Sequence, residues 1–419
     1  MLLEPESQFP SILLVSPEYP PMPGGIGRYT HNLKKKLIEM GFKVQVVCDK
    51  RGNGEFSGIS QHNPRNSEIL LELVDAVKPD IVHVQYEPGL YGLKLDRLRP
   101  AVTATNIDPF YKSCKVPIIT TFHSAYPFKQ WMSLPIPIYE RPHDGYLAKR
   151  AKRLISCWTK LINYHSSHRL NKEKLAQSAA GIAFSGFMSR TIGQKGCDVF
   201  YHGAERQKFL PVRSKSELRK SFSIPAHRRI ALALGYATAT KGWDVIEKMD
   251  IPEPWTIVIN ASKNGYSKEE YHLDTSKKNL INLHMDFLNE ERLSALFSCA
   301  DAVILPYKVS SGSGIMFDAL SYGLPFVATR LGFFVEFASR GLGITVRRNA
   351  SAFSKALVHL EKNYDKYAET VDDFKKEITW SEVAKRHAEL YRRVARTDER
   401  QAVVYPLKVE SKSKRASLN

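Results

Sequence analysis

Short apolar runs alternate with helical patterns along almost the whole chain, and the alternation starts afresh halfway. In the first half the runs are Ile12–Val15, Val44–Cys48, Ile81–Val84, Pro117–Phe122 and Gly181–Ser185. In the second they are Ile230–Leu234, Thr256–Ile259, Leu280–Leu283, Ala302–Leu305 and Phe326–Ala328. The runs are continuous rather than alternating with polar residues, the pattern of strands buried on both faces. Helical patterns such as Tyr29–Met40, Glu68–Val77, Trp243–Met249, Glu290–Cys299 and Ile315–Tyr322 lie between them. Strands alternating with helices specify an α/β architecture with a parallel sheet covered on both faces. The restart implies two doubly wound, Rossmann-like domains, 1–205 and 206–379, changing over near Tyr201–Arg213 where polar and basic residues take over. A helical segment, 380–397, and a polar, basic tail, 398–419, expected to be disordered, complete the chain.

Composition supports such cores and removes other classes. Of 419 residues, 43% are hydrophobic and 25% charged, ordinary globular usage. No stretch approaches the roughly 18 uninterrupted apolar residues of a membrane span. The start, MLLEPESQFP, lacks the basic-then-apolar layout of a secretory signal, so a cytoplasmic protein is expected. The five cysteines are scattered and form no Cys-x-x-Cys, which argues against a zinc knuckle or a disulfide framework.

Candidate chemistry sits where strands end. After Ile12–Val15 the loop holds Gly24, Gly25 and Gly27, then a helix whose N-terminus favours an anion or a sugar hydroxyl. The loop is too long and proline-rich for a dinucleotide fingerprint, and a plain tight turn is the alternative. Pro117–Phe122 runs into His123, at the carboxyl end of a parallel strand, where open α/β sheets place ligands. His123 there either meets a reacting hydroxyl or satisfies a loop carbonyl. Gln85 and Glu87 follow Ile81–Val84 to the same edge. In the second half, Gly235 precedes Thr240-Lys241-Gly242, where the lysine suits a phosphate. Ser310-Ser311-Gly312-Ser313-Gly314 leads into a helix carrying Asp318. That run makes an anion cradle, with Asp318 within reach of ribose hydroxyls, or else a simple helix cap. The sequence has no Asp-x-Asp, His-Glu-x-x-His, Walker loop or Gly-x-Ser-x-Gly, so no metal site and no serine-hydrolase route is expected.

Six segments in order resemble the retaining family-four glycosyltransferases, from about Ile12 to Tyr391. They are SILLVSPEYPPMPGGIGRYTHNLKKKLIEMGFKVQVV, TTFHSAYP, YHGAERQKFLP, LGYATATKGWDVI, SGSGIMFDALSYGLPFVATRLGFFVEF and ITWSEVAKRHAELY. The resemblance implies two Rossmann-like domains facing a central cleft, the B-type glycosyltransferase fold. It also implies metal-independent sugar transfer, with retained configuration, from a nucleotide-diphosphate donor to an acceptor hydroxyl. No cofactor is implied beyond that co-substrate. His123 and Lys241 would be the catalytic pair. Gly24, Gly25, Gly235, Ser310, Gly312, Ser313, Gly314 and Asp318 would form the donor-binding set. Two departures stand out. The family's paired glutamates are Ser310 and Asp318 here, and a frequent arginine after the glycine of the phosphate turn is Tyr236. A catalytically silent sugar-nucleotide-binding protein and a sugar-nucleotide epimerase are the rival readings.

The formal charge of +18 is concentrated: residues 141–230 hold 19 Lys and Arg against 5 Asp and Glu. Within that tract, Leu147, Ala151, Leu154, Ile155, Trp158, Leu161 and Ile162 form one helical stripe among five basic residues. Segment 147–165 therefore either packs its stripe on the first domain or lies on an anionic membrane surface. The family resemblance adds a glycan or lipid-linked acceptor and a peripheral position on the inner membrane face. Nucleic-acid binding is not expected, because aromatics and basic residues form no recognisable module.

Overall fold

The computed structural model describes residues 9–95, 102–134, 146–193, 196–207, 213–262, 277–285 and 288–404. The strands of the first half are β1 (Ile12–Val15), β2 (Val44–Cys48), β3 (Phe56–Ser57), β4 (Ile81–Tyr86), β5 (Leu93–Leu95), β6 (Val102–Thr105), β7 (Ile118–Phe122), β8 (Ala180–Ala183) and β9 (Asp198–Val199). Those of the second are β10 (Arg229–Tyr236), β11 (Trp255–Ser262), β12 (Leu280–Asn282), β13 (Ala302–Leu305), β14 (Phe326–Thr329) and β15 (Gly343–Val346). They form a 7-stranded sheet, β3-β2-β1-β4-β7-β8-β9, and a 6-stranded sheet, β12-β11-β10-β13-β14-β15. Every pairing in these two sheets is parallel. The doubly wound reading of both halves holds. Strands β5 and β6, absent from the sequence reading, form a separate antiparallel pair.

The register shows why chemistry collects at one edge. β1 lies between β2 and β4, with Val15 level with Val47 and Val84. β1, β4 and β7 are buried along their whole length, so polar side chains that must reach a ligand are left to the strand ends. Strand order reverses at β1/β4 and again at β10/β13. At such switch points, neighbouring loops diverge and open a crevice at the carboxyl ends of the strands. The glycine loop, His123, Lys241 and Ser310 follow the carboxyl ends of these central strands, and Gln85 is the last residue but one of β4.

The terminal helix, Trp380–Val404, runs beyond the expected end at 397; residues 405–419 of the tail lie outside those described. Trp380, Val383, Ala384, Ala388, Leu390, Tyr391 and Val394 belong to the core of the first sheet. Polar contacts fix its register there: Tyr391 Oη meets His83 Nδ1 at 2.7 Å, and His387 Nε2 meets Tyr29 Oη at 3.2 Å. Gly203 makes room for Trp380, whose ring would lie 2.4 Å from a Cβ at that position.

These histidines are held neutral. Burial pushes His387 down to about 4, opposed by its bond to the Val383 carbonyl. Burial, then His387 and His123, push His83 well below its ordinary value. An unfolded chain takes up protons near pH 6.5 that these rings refuse, so their contribution is complete above that pH and is lost toward pH 4. Thermal unfolding followed from pH 7.5 to 4.5 should therefore show a falling melting temperature, with His387 accounting for on the order of 2–3 kcal/mol. His387→Gln should flatten the profile; an equally steep fall in the variant contradicts this assignment.

Candidate active site

On the first-half side, β1 leads through Ser16 and Glu18 into the glycine loop and the first helix, Gly25–Glu39. Part of this helix start, expected to favour an anion or a sugar hydroxyl, is taken up within the chain. The Glu18 carboxylate accepts the Gly27 N–H at 2.9 Å and a further bond from Ile26. Burial raises its pKa and these bonds partly oppose the rise. Gly24 (φ 155°) is needed here because a Cβ would fall 1.9 Å from the Glu18 Oε1. Gly24 thus makes room for a carboxylate of the chain itself, while Gly25 borders open space.

His123 follows β7, its N–H bonded to the Tyr86 carbonyl. Its Nε2 donates to Gln85 Oε1 at 2.9 Å, which leaves Nδ1 as the acceptor. The ring is half-buried between Tyr29 and Phe184. Burial, and then His202, push it down to about 3. It is a neutral acceptor at physiological pH, not a proton donor. Glu87, on the same edge, takes hydrogen bonds from the Ser124 side chain and the Gly89 N–H; burial raises it.

On the second-half side, Lys241 lies back across the turn that follows β10. Gly235 gives it space: a Cβ there would meet Lys241 Cδ and Cε at 3.3 Å. The Lys241 Nζ stands 4.1 Å over the Tyr307 ring, a favourable place for a cation. Gly242 has φ 80° and sits where a Cβ would overlap the Pro306 carbonyl, so this turn admits only glycine.

The small-residue run divides by role. The Ser310 N–H donates to Gln130 Oε1 of the first half at 2.8 Å, and its hydroxyl donates to the Gly312 carbonyl at 3.0 Å. Ser313 caps the helix Gly314–Ser321 by accepting the Met316 N–H. Gly312 borders open space, and Gly314 faces Arg28 and His202. The cradle open to a ligand is therefore Gly312–Gly314, with Ser310 and Ser313 committed to structure. Asp318 is not free either: Arg28 Nη2 holds its carboxylate at 2.5 Å, while Nη1 lies 3.6 Å from Glu290.

Four participants were not singled out from sequence. Arg28 and Gln130 reach across from the first half to Asp318 and Ser310. His202 stacks on Phe317, donates through Nδ1 to the Gly203 carbonyl, and packs with Tyr29 beside His123. Glu336 of the second half accepts the Gly186 and Phe187 N–H groups at 2.8 and 2.6 Å, capping a first-half helix. Arg28, His202 and Glu336 do lie within the quoted motifs, but nothing local marks their partners. Among the described residues, no group of three or more His, Cys, Asp and Glu side chains is placed to hold a metal ion.

Removing the Glu18 carboxylate would strand buried N–H groups. Glu18→Ala should lose about 1–3 kcal/mol in urea unfolding, and Glu18→Gln should retain most of the stability. Equal losses in both variants would show that the cap is not what Glu18 supplies.

Comparison with known proteins bears on this arrangement. Residues 23–177 match the model of Glycosyltransferase Family 4, a segment that includes the glycine loop and His123. No curated protein matches the chain in sequence. Among solved structures, it is similar to sucrose-phosphate synthase from Thermosynechococcus elongatus: TM-score 0.66, 14% identity, 93% of this chain and 100% of that one. It is also similar to Anabaena HepE in complex with UDP-glucose: TM-score 0.56, 12% identity, 94% and 100% covered. A third is WaaG, a glycosyltransferase involved in lipopolysaccharide biosynthesis: TM-score 0.55, 12% identity, 91% and 99% covered. At these identities the likeness is one of fold. The fold is the two-domain, B-type glycosyltransferase architecture, and the family-four resemblance stands.

Proposed function

We propose that this protein is a retaining glycosyltransferase. It moves a sugar from a nucleotide-diphosphate donor on the second half to an acceptor hydroxyl presented by the first. The observation that carries the reading is the meeting of the two halves at one place. Gly314, at the start of the donor-side helix, lies beside both Arg28 and His202, and His202 packs through Tyr29 toward His123. The family-model match over 23–177 supports it, as does a fold shared with a protein crystallised with UDP-glucose.

In this reading, charge builds on the leaving β-phosphate, and stabilisation of that anion dominates catalysis. Lys241 and the Gly312–Gly314 backbone, at the positive end of a helix, supply the opposing potential without a metal. His123, neutral with Nδ1 as acceptor, takes a hydrogen bond from a sugar hydroxyl and fixes the sugar's orientation. Arg28 supplies part of the charge missing where Tyr236 stands in place of the family's arginine. Its bond to Asp318 loosens when the ribose hydroxyls claim that carboxylate. Such a site excludes water when the halves close on both substrates.

A thermal-shift panel of nucleoside diphosphates and their sugars should find at least one stabilising ligand, and Lys241→Ala should weaken that shift. In a transfer assay with the donor so identified, Lys241→Ala should lower kcat by a hundredfold or so. Saturating EDTA should leave the rate unchanged. Stabilisation by none of the panel would end this reading and leave only the fold.

The site of action proposed is a cytoplasmic membrane surface, and the acceptor a glycan or a lipid-linked glycan. Part of the stripe on the long helix Tyr146–Ala176 faces outward: Leu154, Ile155 and Trp158 are 59%, 63% and 67% exposed. Basic residues flank them, the composition of a helix lying on an anionic leaflet. No described helix is long and apolar enough to cross a membrane. Sedimentation with anionic vesicles should carry the protein down, neutral vesicles should not, and Trp158→Ser with Leu154→Ser should release it. Equal binding to both vesicle types would remove the electrostatic anchor.

A further inference from the structure

The Ser310–Gly314 loop of the second half is held by a side chain of the first. Gln130 belongs to the short helix Phe128–Ser133, and its Oε1 accepts the Ser310 N–H at 2.8 Å. Both residues are buried. Only the oxygen of a carboxamide accepts, so this bond also fixes which way the Gln130 amide faces. The helix that carries Gln130 is itself anchored. Trp131 Nε1 donates to the Lys160 carbonyl at 2.9 Å, and Lys160 Nζ donates to the Met132 carbonyl at 3.0 Å. Lys160 lies on the long helix Tyr146–Ala176, so the short helix is tied down at two points. One residue beyond Ser310, the Ser311 side chain meets the Tyr126 hydroxyl, also from the first half. Gln130 is therefore a fixed point against which the loop rests.

What this contact controls lies two residues further on. The Ser310 hydroxyl donates to the Gly312 carbonyl at 3.0 Å, which turns that carbonyl back toward Ser310. The Gly312–Ser313 peptide is trans, and in a planar trans peptide the N–H points opposite to the C=O. The Ser313 N–H is thus directed away from Ser310. Among the described residues, none accepts the N–H of Gly312, Ser313 or Gly314. These three groups open the helix Gly314–Ser321, where free donors favour an anion. They act as a preorganised cradle only if the turn that carries them is rigid. Ser310 is where that turn is pinned, its N–H by Gln130 and its hydroxyl by its own loop. The family resemblance expects a glutamate here; serine is short enough to turn back on the loop instead.

We propose that Gln130 is a positioning residue: it holds Ser310 from the first half and, through Ser310 and the Gly312 carbonyl, aims the Ser313 N–H at the β-phosphate of a nucleoside diphosphate. The assignment rests on the transferase reading above and names the first-half residue on which its donor site depends. Gln130 itself does not touch the nucleotide. The cradle becomes a joint product of the two halves, because the loop has its working shape only while the short helix stands against it. A buried hydrogen bond of this kind is strong and directional, and a small displacement of the loop misdirects the donors it carries. Loss of the Gln130 acceptor is therefore felt at the β-phosphate rather than at the base.

Calorimetric titration of the full chain with UDP, ADP and GDP, and with the matching monophosphates, tests this. Gln130→Met keeps the length of the side chain and removes the acceptor. It should weaken the diphosphate that the wild type binds best by about tenfold or more. The monophosphate of the same base should bind within about twofold of wild type, a difference that a general loss of structure would not produce. Ser310→Ala should weaken the diphosphate similarly, and it carries the same comparison should Gln130→Met not fold. The double variant should lose little more than either single one, because both changes cut one chain of contacts. Unchanged diphosphate affinity in Gln130→Met, equal weakening of monophosphate and diphosphate, or additive losses in the double variant would overturn the assignment and leave the transferase reading in place. A wild-type protein that binds none of the three diphosphates would end both.

Discussion

Parallel strands buried on both faces set the terms for everything else in this molecule. β1, β4 and β7 expose almost nothing along their length, and β13 and β14 are equally closed. Side chains that act on a ligand therefore sit in the loops where such strands end, and the two reversals of strand order decide which loops are neighbours. The glycine loop, the His123 loop, the Lys241 turn and the Ser310–Gly314 run are those loops. The chemistry is thin and loop-borne, while the sheets supply rigidity.

Charge organises the junction between the halves. Glu18 closes the start of the first helix, Glu336 caps a first-half helix from the second half, and Arg28 spans Asp318 and Glu290. These carboxylates satisfy backbone N–H groups or a guanidinium where two polar surfaces meet and water is partly excluded. The histidines near the junction, His123 and His202, are kept neutral chiefly by burial. Neutral histidines of this kind offer oriented hydrogen-bond acceptors, which is the role the proposed reaction gives His123.

Much of the fold was legible because continuous apolar runs have few other solutions. Ile12–Val15, Val44–Cys48 and Ala302–Leu305 are strands with the ends read from sequence. Strands β3, β5 and β9 were not legible because two or three residues carry no pattern, and β6 (VTAT) is no continuous apolar run; β15 begins on Gly343 and lacks a clear signal. The loops carrying the site were legible because their residues are contiguous. Their partners were not: Arg28 and Asp318 are 290 residues apart, and Gln130 and Ser310 are 180 apart. A glutamate in a proline-rich loop gave no sign that it would accept N–H groups at the start of the first helix. For helix 147–165, sequence left open whether the stripe packs on the first domain or lies on a membrane surface; the structure adds that Leu154, Ile155 and Trp158 are exposed.

The central claim is that the second half holds a nucleoside diphosphate through Lys241 and the Gly312–Gly314 cradle. Hydrogen–deuterium exchange with and without the nucleoside diphosphate that best stabilises the protein tests it most directly. The account predicts slowed exchange over 235–243 and 312–320, lost in Lys241→Ala. Protection confined to other segments, or unchanged in that variant, would contradict it.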